Sequence, residues 1–403
     1  MLRFQRRKLL FLVFLALVLF MVLSYLAVPF LSDYFASCDQ YTWSCSLRQH
    51  FVPVSSIYGE DVEPILLWTP WFGNSRSWWE GLNLHGSNEN HKCVVTHYRA
   101  ANAKANMVLF HRSDLDANDL PTKQDGQMWV LYTAEALSPY IGKNAKKLEA
   151  LYPYFNYSLN YRLDSNFPYV YYDTKIMEQL SKPPPSFSPD VEPVAWIGSN
   201  CDAQNKRHVY IKELMKHIPV ASYGSCLNNK PAVPRGQTIE YMSRHPFYLA
   251  LENSNCDYYV TEKLQSSFAA GVVPIVTGPK NYPPFIPTPH SVIFLDDFRD
   301  PRDLAKHLRF LLERPDEYKK YVDFRFNPQL ISEEFRKNWD GPNGWNHNVG
   351  LRRLCDSAWM FRTGKKLTSD NPEKDWMKPR VIEADSSCNE TFDKYAYVKE
   401  LSD

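Results

Sequence analysis

The chain has 403 residues, long enough for two ordinary domains that each bury a core. Its 46 Lys and Arg nearly balance 45 Asp and Glu, and no basic block stands outside the extreme N-terminus, which argues against nucleic acid as a partner. Aromatic residues make up 15% of the chain; large cores account for most of them, and the rest suit a protein that lays rings against sugars.

At the start, Arg3, Arg6, Arg7 and Lys8 precede an uncharged apolar run, Leu9 to Val28. A run of about 20 residues is what a helix needs to span the hydrocarbon core. The positive-inside rule then predicts a cytosolic tail at 1–8, a transmembrane signal anchor at 9–28 and a body beyond the membrane. A cleaved signal peptide fits less well, since its apolar region is about 7–15 residues and ends in a small-x-small site. Residues 29–63 read as a lumenal stem. Eight cysteines suit an oxidising compartment: Cys38, Cys45, Cys93, Cys201, Cys226, Cys256, Cys355 and Cys388. Their pairing is open from spacing alone, and the absence of a Cys-x-x-Cys pair argues against structural zinc. Asn156 and Asn389 open glycosylation sequons.

The body begins with short apolar runs that predict buried strands at Ile65–Trp68, Cys93–Thr96, Met107–Phe110 and Met128–Tyr132. The aromatic-rich stretch from Tyr132 to Asp173 matches no single class. Three consecutive prolines in 182–190 predict a linker, because proline resists both helix and central strand. Strands at Val194–Gly198, Val220–Tyr223, Phe247–Leu251, Val272–Thr277 and Val292–Leu295 then alternate with helices at Lys206–His217, Thr261–Ala270 and Pro301–Glu313, the last capped by Asp300. That alternation predicts a doubly wound parallel sheet, with ligand at the carboxyl ends of its strands. No Gly-x-Gly-x-x-Gly follows any strand, which leaves a Rossmann oxidoreductase without support.

The densest group of chemical residues is the segment Phe247 to Lys263, FYLALENSNCDYYVTEK. An apolar strand runs out into Glu252-Asn253-Ser254, a polar loop follows, and a helix opens at Thr261-Glu262-Lys263. Free amides and the positive dipole end of that helix suit a diphosphate, with Lys263 adding charge and Glu262 able to accept from a ribose diol.

This segment resembles the signature of the α1,3/4-fucosyltransferases, glycosyltransferase family 10, in which a strand ending Glu-Asn-Ser is followed by Tyr-x-Thr-Glu-Lys. Gly271–Pro274 and Thr277-Gly278-Pro279 continue the likeness, which runs from about residue 65 to about residue 326. The resemblance implies an α/β fold of the GT-B type: two Rossmann-like domains facing a cleft behind the transmembrane helix. It implies a first, acceptor-side domain at 64–181, the linker at 182–190, a GDP-fucose-binding domain at 191–326 and a C-terminal extension at 327–403. By the same likeness Tyr259, Asn253, Glu262 and Lys263 bind the donor, as do Ser199, Asn200 and Arg207, the last clamping the diphosphate through its planar fork. Tyr248 and Tyr161 take nucleotide-site places. Trp129-Val-Leu-Tyr-Thr-Ala-Glu135 resembles the strand that ends in the catalytic base. Ala136-Leu137 before Ser138-Pro139 departs from the family's usual Ser-Pro.

The implied reaction is an inverting transfer of L-fucose from GDP-β-L-fucose, in α1,3 linkage, to N-acetylglucosamine of a glycoprotein glycan in the Golgi lumen. Cys201 and Cys226 resemble a pair of the branch that acts on the N-glycan core, and the resemblance implies that they bond to each other. Alternatives are lactosamine or protein acceptors, or a tethered glycan or nucleotide-sugar binder without catalysis. The resemblance implies no required cofactor and no metal site, with Mn2+ or Mg2+ at most stimulatory. Asp114-Leu-Asp116 spells a metal-holding pattern but lies far in sequence from the donor segments, and is read as a chance match.

Overall fold

The structure, a computed structural model, describes residues 59, 61–74, 79–136, 150–172, 175–279, 281–340, 347–363 and 388. The expected anchor at 9–28, nearly all of the stem and the sequon at Asn389 lie outside the described residues. Among the described residues no helix is long and apolar enough to cross a membrane.

Two sheets organise the chain. The first holds β1 (Val62–Leu67), β2 (Asn83–His85), β3 (Lys92–Thr96), β4 (Met107–His111), β5 (Met128–Thr133), β6 (Tyr157–Asn160) and β7 (Phe167–Pro168). Their spatial order is β2-β3-β1-β4-β5-β6-β7, and every pair is parallel except β2 with β3. The strands are unbroken apolar runs because both faces are covered. Ile65, Leu67, Leu109 and Val130 pack on one face, while Leu66, Val108, Phe110 and Leu131 pack on the other. The stretch that matched no class supplies β6 and β7, both edge-ward strands rich in Tyr and Phe.

Helix α1 (Ile176–Leu180) leads to the second sheet, whose strands are β8 (Val194–Trp196), β9 (Val220–Ser222), β10 (Phe247–Leu249), β11 (Val273–Val276) and β12 (Ile293–Phe294). They lie in the order β12-β11-β10-β8-β9, all parallel. Around them run α2 (Arg207–Leu214), α3 (Thr238–Met242), α4 (Glu262–Ala270), α5 (Pro301–Glu313), α6 (Pro315–Lys320) and α7 (Glu333–Trp339). Asp300 caps α5 as the sequence suggests, its carboxylate accepting from the Asp303 amide at 2.9 Å. Helix α4 stops at Gly271, which holds φ +77, and a Cβ there would meet Pro185 at 2.7 Å. The proline-rich segment is thus laid tightly over the end of α4. Buried Arg325 pins it further by donating to the carbonyls of Gln179, Lys182 and Phe268.

The chain finally returns to the first sheet. Helix α8 (His347–Arg362) buries Leu351, Leu354, Cys355 and Ala358 in the same core as Ile65 and Val130. A Cys93–Cys355 disulfide and an Asp356 carboxylate on the Ser87 amide and the His91 ring fasten it there. Cross-links of this kind typically stabilise by about 2–4 kcal/mol.

In each sheet the parallel strands follow one order, with the second strand outside the first and the later strands on the other side. The order reverses between β1 and β4 in the first sheet and between β8 and β10 in the second. Ligand crevices form at the carboxyl ends of such strands. The loops that leave β1, β4 and β5 and those that leave β8 and β10 are therefore the places to look.

Candidate active site

The loop after β5 carries Glu135. Thr133 Oγ1 accepts from the Glu135 amide at 3.0 Å and donates to its carbonyl at 3.1 Å, while the Tyr171 hydroxyl donates to the Ala134 carbonyl at 2.7 Å. The loop is held, and the carboxylate remains half-exposed at the strand end. The Tyr259 hydroxyl, from the second sheet's side, donates to Glu135 Oε2 at 3.2 Å. Tyr161 meets the Tyr259 ring edge-on at 4.8 Å, so the two bodies touch through tyrosines beside the carboxylate.

On the opposite side β10 ends and the chain turns into Glu252. This carboxylate is 1% exposed and accepts from the Thr261 amide at 2.8 Å, from Thr261 Oγ1 and from Lys263 Nζ at 3.0 Å. Glu252, not Thr261, therefore caps α4 with a negative charge at the positive dipole end. Lys263 Nζ also donates to Thr261 Oγ1 at 2.7 Å and to Glu262 Oε1 at 3.2 Å. Burial pulls the Lys263 pKa down, but Glu252 and Glu262 together outweigh it and leave it raised, so the ammonium stays charged. Burial pushes the Glu252 carboxyl up against the pull of Lys263.

The loop after β8 brings in Arg207 as the first residue of α2, 4% exposed, with its guanidinium donating to the Leu251 carbonyl. Asn205, fully buried, ties that loop to the end of β10 by donating to the Glu252 carbonyl and to Asn255 Oδ1, both at 2.9 Å. Burial lowers the Arg207 pKa against the charge of Glu252. Three buried polar atoms here have no partner: Arg207 Nε, Asn253 Oδ1 and Ser254 Oγ. Each such atom costs about 1–3 kcal/mol unless a polar group meets it, and the three lie on the loops that leave β8 and β10.

All ten residues singled out from the sequence can be placed. Glu135, Arg207, Tyr259, Glu262 and Lys263 are brought together by hydrogen bonds and shared charge, and Asn253 follows Glu252 in the same loop, its Oδ1 buried. The field there is shared: burial first, then Glu135, Glu262 and Glu252, all raise the Tyr171 pKa. Ser199 and Asn200 are exposed on the loop after β8. Tyr161 and Tyr248 are buried, at 1% and 2% exposure, and stand behind the site. The sequence reading did not assign Glu252, Thr261, Ser254 or Asn205. The first three belong to the motif already quoted, whereas nothing local distinguishes Asn205.

Cys201 and Cys226 are bonded, as are Cys256 and Cys388. Asp114 spends its carboxylate on the amides of Phe72 and Gly73, at 2.7 and 2.8 Å, and on the His111 ring at 2.6 Å, while Asp116 caps Asn118. Among the described residues no cluster of three or more His, Cys, Asp or Glu has metal-holding geometry.

Comparison with known proteins agrees with the geometry. A fucosyltransferase N-terminal family model matches residues 60–172, and the glycosyltransferase family 10 (fucosyltransferase) C-terminal model matches 188–370. Human 4-galactosyl-N-acetylglucosaminide 3-alpha-L-fucosyltransferase FUT5 is 36% identical over 243 residues, 58% of this chain and 62% of its own length. Human 3-galactosyl-N-acetylglucosaminide 4-alpha-L-fucosyltransferase FUT3 is 37% identical over 253 residues, 60% of this chain and 67% of its own. The chain thus matches about two thirds of the length of these relatives. Among solved structures, an alpha1,3-fucosyltransferase with GDP-fucose covers 77% of this chain and 92% of its own, at 17% identity and a TM-score of 0.45. With both halves matched in order, the chain belongs to the family 10 glycosyltransferases, the fucosyltransferases.

Proposed function

We propose that the protein transfers L-fucose from GDP-β-L-fucose in α1,3 linkage to an N-acetylglucosamine hydroxyl by a single inverting displacement, with Glu135 as general base. The observation that carries this reading is the hydrogen bond from Tyr259, four residues before Lys263, to Glu135 on the other body. It places a carboxylate within reach of the charged cluster that would receive a nucleotide. In the reaction the acceptor oxygen attacks the anomeric carbon, its proton passes to Glu135, and the bond to the β-phosphate oxygen breaks with its electrons on GDP. A positioned base contributes about 100- to 10,000-fold.

The departing diphosphate gains charge, and the donors proposed to meet it are Arg207 Nε and Ser254 Oγ, which have no partner in the fold, with the Lys263 ammonium adding positive charge from within its network. Two cations face two carboxylates in this cluster, Arg207 and Lys263 against Glu252 and Glu262. Stabilisation then comes from pre-aimed donors in a water-poor site more than from excess positive charge. On this reading no metal is required, and a divalent cation at most stimulates.

For the acceptor we favour N-acetylglucosamine of the N-glycan core, on the likeness carried by the Cys201–Cys226 pair, in the Golgi lumen behind the N-terminal anchor. The relatives' names, which specify galactosyl-N-acetylglucosaminides, support lactosamine as the second reading. The test is GDP release from GDP-fucose with a core N-glycan beside a lactosamine acceptor, and linkage analysis of each product. Transfer to the core glycan alone supports the first reading, and transfer to lactosamine alone the second. GDP binding without turnover on any glycan acceptor overturns catalysis.

A further inference from the structure

We propose that the Cys256–Cys388 disulfide is a positioning element for the transfer step: it fixes the turn that presents Tyr259 to Glu135. The inference rests on the fucosyl-transfer reading above. Cys256 is fully buried and sits between Ser254 and Tyr259, and its partner lies 132 residues further on, beyond α8.

The surroundings of the bond show what it holds. Ala136, Tyr161, Cys256 and Tyr259 form one small buried cluster, with Tyr171, Tyr258 and Cys388 packed against it. Ala136 directly follows the base, and Tyr161 and Tyr171 come from the first body. Cys256 and Tyr259 come from the second, and Cys388 from the C-terminal tail. The two bodies and the tail therefore meet beside the hydrogen bond that, among the described residues, links Glu135 to this turn.

The turn itself is strained. Tyr258 stands at φ +62, a left-handed conformation that costs a non-glycine residue roughly 1–2 kcal/mol. Such a conformation persists only where the surroundings over-determine it. The Tyr258 amide donates to Asn281 Oδ1 at 2.7 Å, the Tyr259 amide to the Cys256 carbonyl at 3.1 Å, and the Arg162 guanidinium lies over the Tyr258 ring. The disulfide is the covalent member of that set. The bond it serves has little slack, because 3.2 Å is already long for an O–H···O contact, whose usual length is about 2.7–2.8 Å. By contrast, Glu252, Thr261 and Lys263 hold one another through bonds that do not involve residues 256–259. Loss of the disulfide should therefore spare nucleotide binding and slow the chemical step.

The experiment uses the full chain, with Cys388→Ala, Cys256→Ala/Cys388→Ala, Tyr259→Phe and Tyr259→Phe/Cys388→Ala beside the unaltered protein. Each is measured for kcat, KM and GDP affinity by calorimetry. The double-cysteine variant leaves no stray thiol and stands in if Cys388→Ala fails to fold. A small misplacement near the chemistry costs up to about 100-fold, so kcat of the two cysteine variants should fall roughly 10- to 100-fold with GDP affinity nearly unchanged. The losses from Tyr259→Phe and Cys388→Ala should not multiply, because both act through one contact. Losses that multiply, a cysteine variant with normal kcat, or non-reducing peptide maps in which Cys388 is not joined to Cys256 would overturn the proposal. Absence of transfer by the unaltered protein would instead overturn the reaction assignment, while the peptide map still reports the linkage.

Discussion

The two sides of the cleft solve opposite problems with different materials. On the second sheet's side charge is concentrated: Glu252, Glu262, Arg207 and Lys263 crowd the end of β10, and buried polar atoms wait without partners. On the first sheet's side Glu135 stands among rings, with Tyr132, Tyr171 and Tyr259 near it, and Asp114 is bonded to His111, on which Trp71 stacks at 4.4 Å. On the proposed function the difference teaches how the two sides would divide the work: the dense network takes up the charge of the leaving anion, and Glu135, which accepts from the Tyr259 hydroxyl, takes the proton.

Removing Glu135 tests this contrast most severely. Glu135→Gln should lower kcat by about 100- to 10,000-fold while GDP affinity, measured by calorimetry, stays close to normal. A variant that also loses GDP binding would show that the two sides are not separable. The reciprocal change, Glu252→Ala, should act on the fold before it acts on the reaction. It leaves Lys263 with Glu262 as its remaining carboxylate and uncaps α4, and breaking a buried pair by removing one partner costs about 3–5 kcal/mol, readable by denaturant unfolding. Normal stability would mean that the network is not a unit.

Arg207→Ala and Lys263→Ala should each cost about 2–4 kcal/mol of transition-state stabilisation, as lost oxyanion-type donors do. Lys263→Ala should in addition lower stability, because it leaves buried Glu252 without its ion-pair partner, whereas Arg207→Ala should not do so to the same degree. Near-normal turnover in both variants would remove the diphosphate from this cluster.

The smallest effect concerns pH on the aromatic side. Burial lowers the His111 pKa, opposed by Asp114 and Glu135 and helped by Arg112. A depressed histidine contributes stability that is present above its unfolded value of about 6.5 and is lost as pH falls through the folded one. Melting temperature should therefore drop by a few degrees more between pH 7 and pH 5 in the unaltered protein than in His111→Asn. Equal slopes would show that His111 does not titrate with unfolding.

Much of this was legible along the chain, for reasons tied to particular segments. Parallel strands covered on both faces leave long apolar runs, so β4, β5, β10 and β11 stand out within a residue or two of their observed ends, while β1 begins three residues before its expected start. Helix α5 announces itself by Asp300 and Pro301. The segment 252–263 carries its chemistry in consecutive residues, and Glu135 ends a strand that pattern alone locates. The stretch from Tyr132 to Asp173 stayed opaque because its strands are short and aromatic, with neither a period of two nor a run long enough to declare itself.

The amino-acid sequence by itself determined the apolar strands of both halves, the βα alternation of the second and the strand that leads to Glu135, since each is written in contiguous residues and short-range physics; the two-domain plan and the donor motif were legible through the likeness to the family. Only the tertiary structure decided that α8 completes the first core, that Glu252 holds Lys263 and caps α4, and that Tyr259 reaches Glu135 beside the Cys256–Cys388 bond. Those contacts join residues from 9 to 262 positions apart. Their distances depend on how two sheets pack, which no local pattern encodes.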